Sequence, residues 1–151
     1  MLSWFAPLLP VGSPAPPFRL PDERGREVTL DEFDNRAVVL VFYPGDDTPV
    51  CRRQLCEFRD NWGVLEARGV AVLGVNPRGA ASHARFREKS GFPFPLLVDA
   101  GQKAARLYHA SGPFVRRTVY LIGPGSGPGR RILFARRGKP APGEVLAALE
   151  V

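Results

Sequence analysis

Two cysteines, Cys51 and Cys56, are the only thiols among 151 residues, and they stand five positions apart. A thiol acts as a thiolate: it attacks electrophilic oxygen or sulfur, ligates soft metals, or pairs as a disulfide. The residues in front of Cys51 bear on this choice. Thr48 is a good helix N-cap, and Pro49 suits the first helical position. Cys51 then falls at the third helical position, where backbone N–H groups still lack partners. Those donors and the positive end of the helix dipole stabilise a thiolate. Asp46 and Asp47 oppose it wherever they approach.

Helical spacing orients the pair. Leu55, Phe58, Trp62 and Leu65 follow Cys51 at intervals of 4, 7, 11 and 14, so they share its face. At ~100° per residue, Cys56 points roughly 140° away. Cys51 therefore faces the interior, and Cys56 the flank of the helix. On an intact helix, Cα atoms five apart lie about 8.6 Å from each other, beyond the ~7 Å limit for a disulfide. Either the two never bond, or the helix unwinds during a cycle. The spacing excludes a Cys-x-x-Cys redox pair. Cys-x4-Cys is only half a zinc site, and His83 and His109, distant in sequence, read as surface and helix-end residues, so no metal is expected. The plain alternative is one small core residue and one incidental surface thiol. The cap, the proline and the place behind a buried strand weigh against it.

The elements that must position these thiols form a regular series. Prolines 14, 16 and 17 stiffen an extended segment, and residues 18–20 and 26–30 flank a turn at 22–25, which makes a small hairpin. Residues 38–43 and 70–75 are continuous apolar runs, the mark of strands buried on both faces. A helix is expected from about 49 to 67, stopping near Gly69, and another from 80 to 89, closed by Gly91. Residues 94–98 read as extended and 102–108 as a short helix. Strands at 118–122 and 131–135 flank a glycine- and proline-rich turn, and 144–150 reads as a terminal helix. The order is βαβ, helix, β-hairpin, helix. That is an α/β plan with a central mixed sheet flanked by helices, preceded by an N-terminal hairpin, and it matches the thioredoxin-like layout.

The totals fit one domain, taken as residues 11–151 behind an N-terminal extension of residues 1–10. Net charge is +6 but uneven: residues 1–50 hold 4 basic and 8 acidic side chains, residues 51–151 hold 17 and 7. The arginines are spread over several elements with no continuous basic stripe, so a solvated surface is expected rather than a nucleic-acid groove. No segment approaches the ~18 apolar residues of a membrane span. Residues 1–10 are apolar but lack a basic start and are broken by two prolines, unlike a signal peptide. A reducing cytoplasm is the default location, and cysteines there are more often catalytic or metal-binding than structural.

At these residues the chain resembles the peroxiredoxins. Pro44-Gly-Asp-Asp-Thr48-Pro-Val-Cys51 matches their Pro-x-x-x-Thr-x-x-Cys motif. The Cys-x4-Cys spacing with Phe58-Arg59-Asp60 resembles the bacterioferritin-comigratory (Q-type) branch of the alkyl hydroperoxide reductase/thiol-specific antioxidant family. The likeness extends over about residues 11–150. It includes the segment 12–18, Ser82-His83 with Phe86 and Lys89, residues 92–97, and 117–122, which resembles the strand carrying the family's arginine. Val50 stands where glycine is common, Asn76 and Arg78 where Ser and Asp are usual, and Arg52 and Arg53 where smaller polar residues are usual. Arg116 beside Arg117 leaves the register open, since strand alternation lets only one face the site.

The resemblance implies a thiol peroxidase acting on hydrogen peroxide or organic hydroperoxides. Cys51 would be the peroxidatic cysteine and Cys56 the resolving one, paired as an intramolecular disulfide and recycled by thioredoxin or a similar dithiol protein. Pro44, Thr48 and Arg117 would complete the peroxide site. It implies no metal, haem or flavin cofactor, and a monomer, because both thiols lie on one chain. Two other readings stand beside it: a thioredoxin-fold thiol–disulfide exchange protein, and a basic redox-sensing or nucleic-acid-binding module.

Overall fold

The computed structural model describes residues 6–150. Residues 1–5, half of the expected N-terminal extension, and Val151 lie outside the described residues. The two apolar runs form the centre of a five-stranded sheet. Strand β3 (Ala37–Phe42) pairs in parallel with β4 (Val70–Asn76), and both are buried along their whole length. They are preceded by a separate antiparallel hairpin, β1 (Arg19–Pro21) with β2 (Glu27–Thr29). Asp22 shapes its turn by accepting from the backbone N–H groups of Arg24 and Arg26. The chain continues through α1 (Pro49–Asp60) and α2 (Trp62–Ala67) before β4, then α3 (Ala80–Ser90), β5 (Leu96–Val98), α4 (Lys103–Leu107), β6 (Thr118–Ile122), β7 (Ile132–Arg137) and α5 (Pro142–Ala147). The sheet order is β5-β4-β3-β6-β7, with β6 antiparallel to both its neighbours, so the sheet is mixed as expected.

Alternation along the strands splits the core into two layers. Val39, Val41 and Tyr43 point to one face, where they pack with Cys51, Leu55 and Phe58 of α1, Phe86 of α3 and Val145 of α5. Val38, Leu40 and Phe42 point to the other, against the hairpin, Ala104 and Ala105 of α4, and Tyr108. Full burial of each such side chain contributes about 1.5–3 kcal/mol, so register between β3 and β4 is strongly specified.

Two expectations shift. The helix over 49–67 is two helices: at Asn61 the backbone leaves helical geometry (φ −105°, ψ 16°), and the Asn61 amide donates to the Glu57 carbonyl at 2.8 Å. A short amide side chain competes with the backbone for that acceptor. The extended stretch at 94–98 pairs only from Leu96 onward, since Pro95 has no N–H to offer a ladder. Residues 6–10 are seated on the molecule: Leu8 and Leu9 pack on the second core layer, and the Leu9 N–H donates to the Tyr120 hydroxyl. Helix α3 stops at Gly91, whose φ of +66° is the left-handed conformation that glycine adopts without strain.

Candidate peroxide site

Helix α1 starts as its sequence dictates. Thr48 is the N-cap with extended backbone, Pro49 is the first helical residue, and the Thr48 hydroxyl oxygen accepts from the Cys51 N–H at 3.4 Å. Cys51 is completely buried. Both cysteines are free. Cys56 lies in the same unbroken helix, partly exposed and packed against the edge of the same core layer. The inward and flanking placements are as the helical spacing requires. Pro44 ends the run of β3 and opens the five-residue loop to Thr48, and it is partly buried.

The arginine register is resolved. Arg117 reaches the thiol: its Nη2 donates to Cys51 Sγ at 3.2 Å and its Nη1 to Gln54 Oε1 at 2.7 Å. Arg116 turns to the other side and donates to the Ala6 carbonyl at 2.9 Å. A guanidinium at this distance stabilises negative charge on sulfur and is fixed in direction by its planar fork. The fork is held from behind. Gln54 Nε2 donates to the Gly138 carbonyl at 3.3 Å, and the Gly138 N–H donates to the Arg117 carbonyl at 2.8 Å. Gln54 was missed from the sequence. Its signal is a polar side chain one helical turn after Cys51 on an otherwise apolar face, 2% exposed. The structure thus brings Cys51, Thr48 and Arg117 together, with Cys56 on another face.

A second polar cluster braces the loop. Asp46 Oδ1 accepts from the Tyr43 hydroxyl at 2.8 Å, and Oδ2 takes the Ser82 hydroxyl and His83 Nδ1, both at 2.6 Å. His83 is therefore no surface residue: it is fully buried, because α3 turns it under the loop toward β4 and β5. His109 does lie at a helix end, following α4, where its Nδ1 meets the Pro7 carbonyl at 2.8 Å. Burial alone pushes the Asp46 carboxyl up, but the bonds from His83 and Ser82, the His83 charge and the Tyr43 bond outweigh it and hold the group below the ordinary carboxylate value. Asp47 forms an outer pair with Lys89 at 2.9 Å and with Arg52 at 3.3 Å, both exposed. Asn76, where the resemblance has serine, donates to the Tyr43 carbonyl at 2.8 Å and fixes the end of β3.

Comparison with known proteins points one way. The AhpC/TSA family model matches residues 11–126. Peroxiredoxin Q of rice chloroplasts (Oryza sativa subsp. japonica) is 45% identical over 95 residues, 63% of this chain and 44% of that protein. A putative peroxiredoxin bcp of Coxiella burnetii is 41% identical over 98 residues, 65% of each. The matches thus span about half to two thirds of these relatives' own length. Among solved structures, peroxidoxin BcpB of Mycobacterium tuberculosis superposes with a TM-score of 0.83 at 27% identity, covering 93% of this chain and 96% of that one. A cysteine mutant of Xylella fastidiosa PrxQ does so with 0.82 at 27%, covering 96% of both. The layered sheet described above is accordingly the thioredoxin-like fold of these proteins, and the chain belongs to the AhpC/TSA family, in its peroxiredoxin Q (bacterioferritin-comigratory) branch.

Proposed function

We propose that the protein is a thiol-dependent peroxidase that reduces hydrogen peroxide or organic hydroperoxides. The observation that carries this reading is the buried Cys51 thiol at a capped helix start, with Arg117 Nη2 3.2 Å from its sulfur. The Cys51 thiolate attacks one peroxide oxygen, the O–O bond breaks, and the departing oxygen takes a proton to leave as water or alcohol. Cys51 becomes a sulfenic acid. Charge spreads over two oxygens in that step. The Arg117 fork, the N–H groups of the first helical turn and the Thr48 hydroxyl hold both oxygens and stabilise it. Thr48 uses its oxygen lone pair on the Cys51 N–H, which leaves its own hydrogen to donate to the peroxide. Pro44 shields the thiolate.

Cys56 then attacks the sulfenic sulfur, which gives a Cys51–Cys56 disulfide and water. A dithiol protein such as thioredoxin restores both thiols by exchange. Both cysteines lie on one helix, so a monomer completes the cycle. General thiol–disulfide exchange fits less well: a small peroxide can enter to a buried sulfur, whereas a protein disulfide needs an exposed one. The test is peroxide consumption by Cys51→Ser. Loss of essentially all activity is expected, and substantial remaining activity rejects the assignment.

A further inference from the structure

The peroxide chemistry uses neither Asp46 nor His83, yet they form the most completely satisfied polar pair near the site. The Asp46 carboxylate is only 4% exposed and takes three hydrogen bonds. The His83 ring is buried, with Nδ1 on that carboxylate and Nε2 facing the Leu97 carbonyl at 2.9 Å and the Asn76 carbonyl at 3.3 Å. Both ring nitrogens thus have partners, so the histidine and the carboxylate form one buried hydrogen-bonded pair. Ser82 of α3 and the Tyr43 hydroxyl at the end of β3 complete it, and the Tyr43 ring lies 6.5 Å from the imidazole. Outside the pair, Asp47 with Arg52 and Lys89 makes only exposed contacts, which screening renders weak. The inner pair is what fastens the loop.

That loop has to move under the peroxidase reading, on which this inference rests. Thr48 caps α1 two residues after Asp46, and both thiols sit in α1 at a spacing that forbids their bonding while it is helical. We propose that the His83–Asp46 pair is a latch that pins residues 44–48 to β4, β5 and α3 and sets how long the Cys51 sulfenic acid persists before Cys56 reaches it. His83 and Asp46 are positioning residues in this scheme. While the latch is closed, a second peroxide can oxidise the sulfenate to sulfinate, with the O–O bond breaking and water or alcohol leaving. When it opens, the first turn of α1 unwinds, the Cys56 thiolate forms the S–S bond, and hydroxide departs and is protonated to water. The two fates compete, so latch strength fixes their ratio.

The experiment treats the full-length reduced protein with excess hydrogen peroxide and measures disulfide against sulfinic acid by mass spectrometry. His83→Gln and Asp46→Asn should raise the disulfide-to-sulfinate ratio by about fivefold or more, the equivalent of a modest loss of latch stability. Ser82→Ala removes one donor to Asp46 and should raise it about two- to fivefold; this milder change keeps the idea testable if His83→Gln does not fold. Tyr108→Phe removes a hydroxyl that donates to the Pro16 carbonyl on the opposite face of the sheet. It should lower the melting temperature without moving the ratio. Wild-type ratios in Ser82→Ala and Asp46→Asn would overturn the latch, as would an equal shift in Tyr108→Phe. If wild-type Cys51 stays reduced under peroxide, the peroxidase reading itself falls.

Discussion

Arg117 places Nη2 3.2 Å from the sulfur of Cys51 across 66 residues of sequence. Its direction comes from a closed ring of contacts: Gln54 takes Nη1, Gly138 takes the Gln54 amide, and the Gly138 N–H returns to the Arg117 carbonyl. A helix and the sheet edge therefore jointly aim one guanidinium at one thiol.

Arg117→Lys tests that aim. Lysine keeps the charge but has a single ammonium and cannot hold the Gln54 oxygen and the sulfur with a planar fork. The second-order rate of Cys51 oxidation by hydrogen peroxide, read in stopped flow, should fall about 10²- to 10³-fold, the scale of losing a preorganised oxyanion donor. A rate near that of wild type would show that charge alone suffices.

Cys56→Ser separates the two chemical steps. Cys51 should still consume one equivalent of peroxide and carry a trappable sulfenic acid, while turnover with a thioredoxin system collapses. Undiminished turnover would mean that another thiol completes the cycle.

Asp46 makes a pH prediction. Burial raises its carboxyl, but His83, Ser82 and Tyr43 hold it below the ordinary value in the folded state. A group lowered on folding contributes stability that is fully present above the unfolded value, ~3.9, and is lost as pH falls through the folded one. Asp46→Asn should therefore lose stability at neutral pH and show a shallower decline below about pH 4 in urea titrations. Asp47 is also held low, chiefly by its Lys89 bond, but it is exposed and screened and contributes little. An acid limb as steep in Asp46→Asn as in wild type would contradict this account.

Gly74→Ala probes the packing behind the loop. A Cβ on Gly74 of β4 would stand 2.6 Å from a Leu96 methyl and 3.2 Å from the Tyr43 ring, both in the core. The overpacking should destabilise the protein by about 1–3 kcal/mol, measured by denaturant unfolding. An unchanged midpoint would show that Leu96 and Tyr43 can move aside.

Much of the candidate site was legible because its rules are local. Capping by Thr48, the proline after it and helical periodicity act over a few residues, and together they set Cys51 inward and Cys56 on the flank. Continuous apolar runs likewise marked β3 and β4, and Gly91 marked the end of α3. Long-range partners carry no such local signal. A lone histidine on α3 has the same sequence appearance whether it faces water or, as His83 does, a carboxylate 37 residues upstream.

Tertiary structure alone chose between Arg116 and Arg117, because only the sheet's two packed layers tell which side of the strand faces α1. It also recruited Gln54 and Gly138 behind the arginine and seated residues 6–10 on the second core layer. The sequence by itself determined the thiol pair, the cap before it and the helix whose geometry keeps the two sulfurs apart. Which charged groups surround that helix was decided by chain segments that meet only when burial of both sheet faces brings them together.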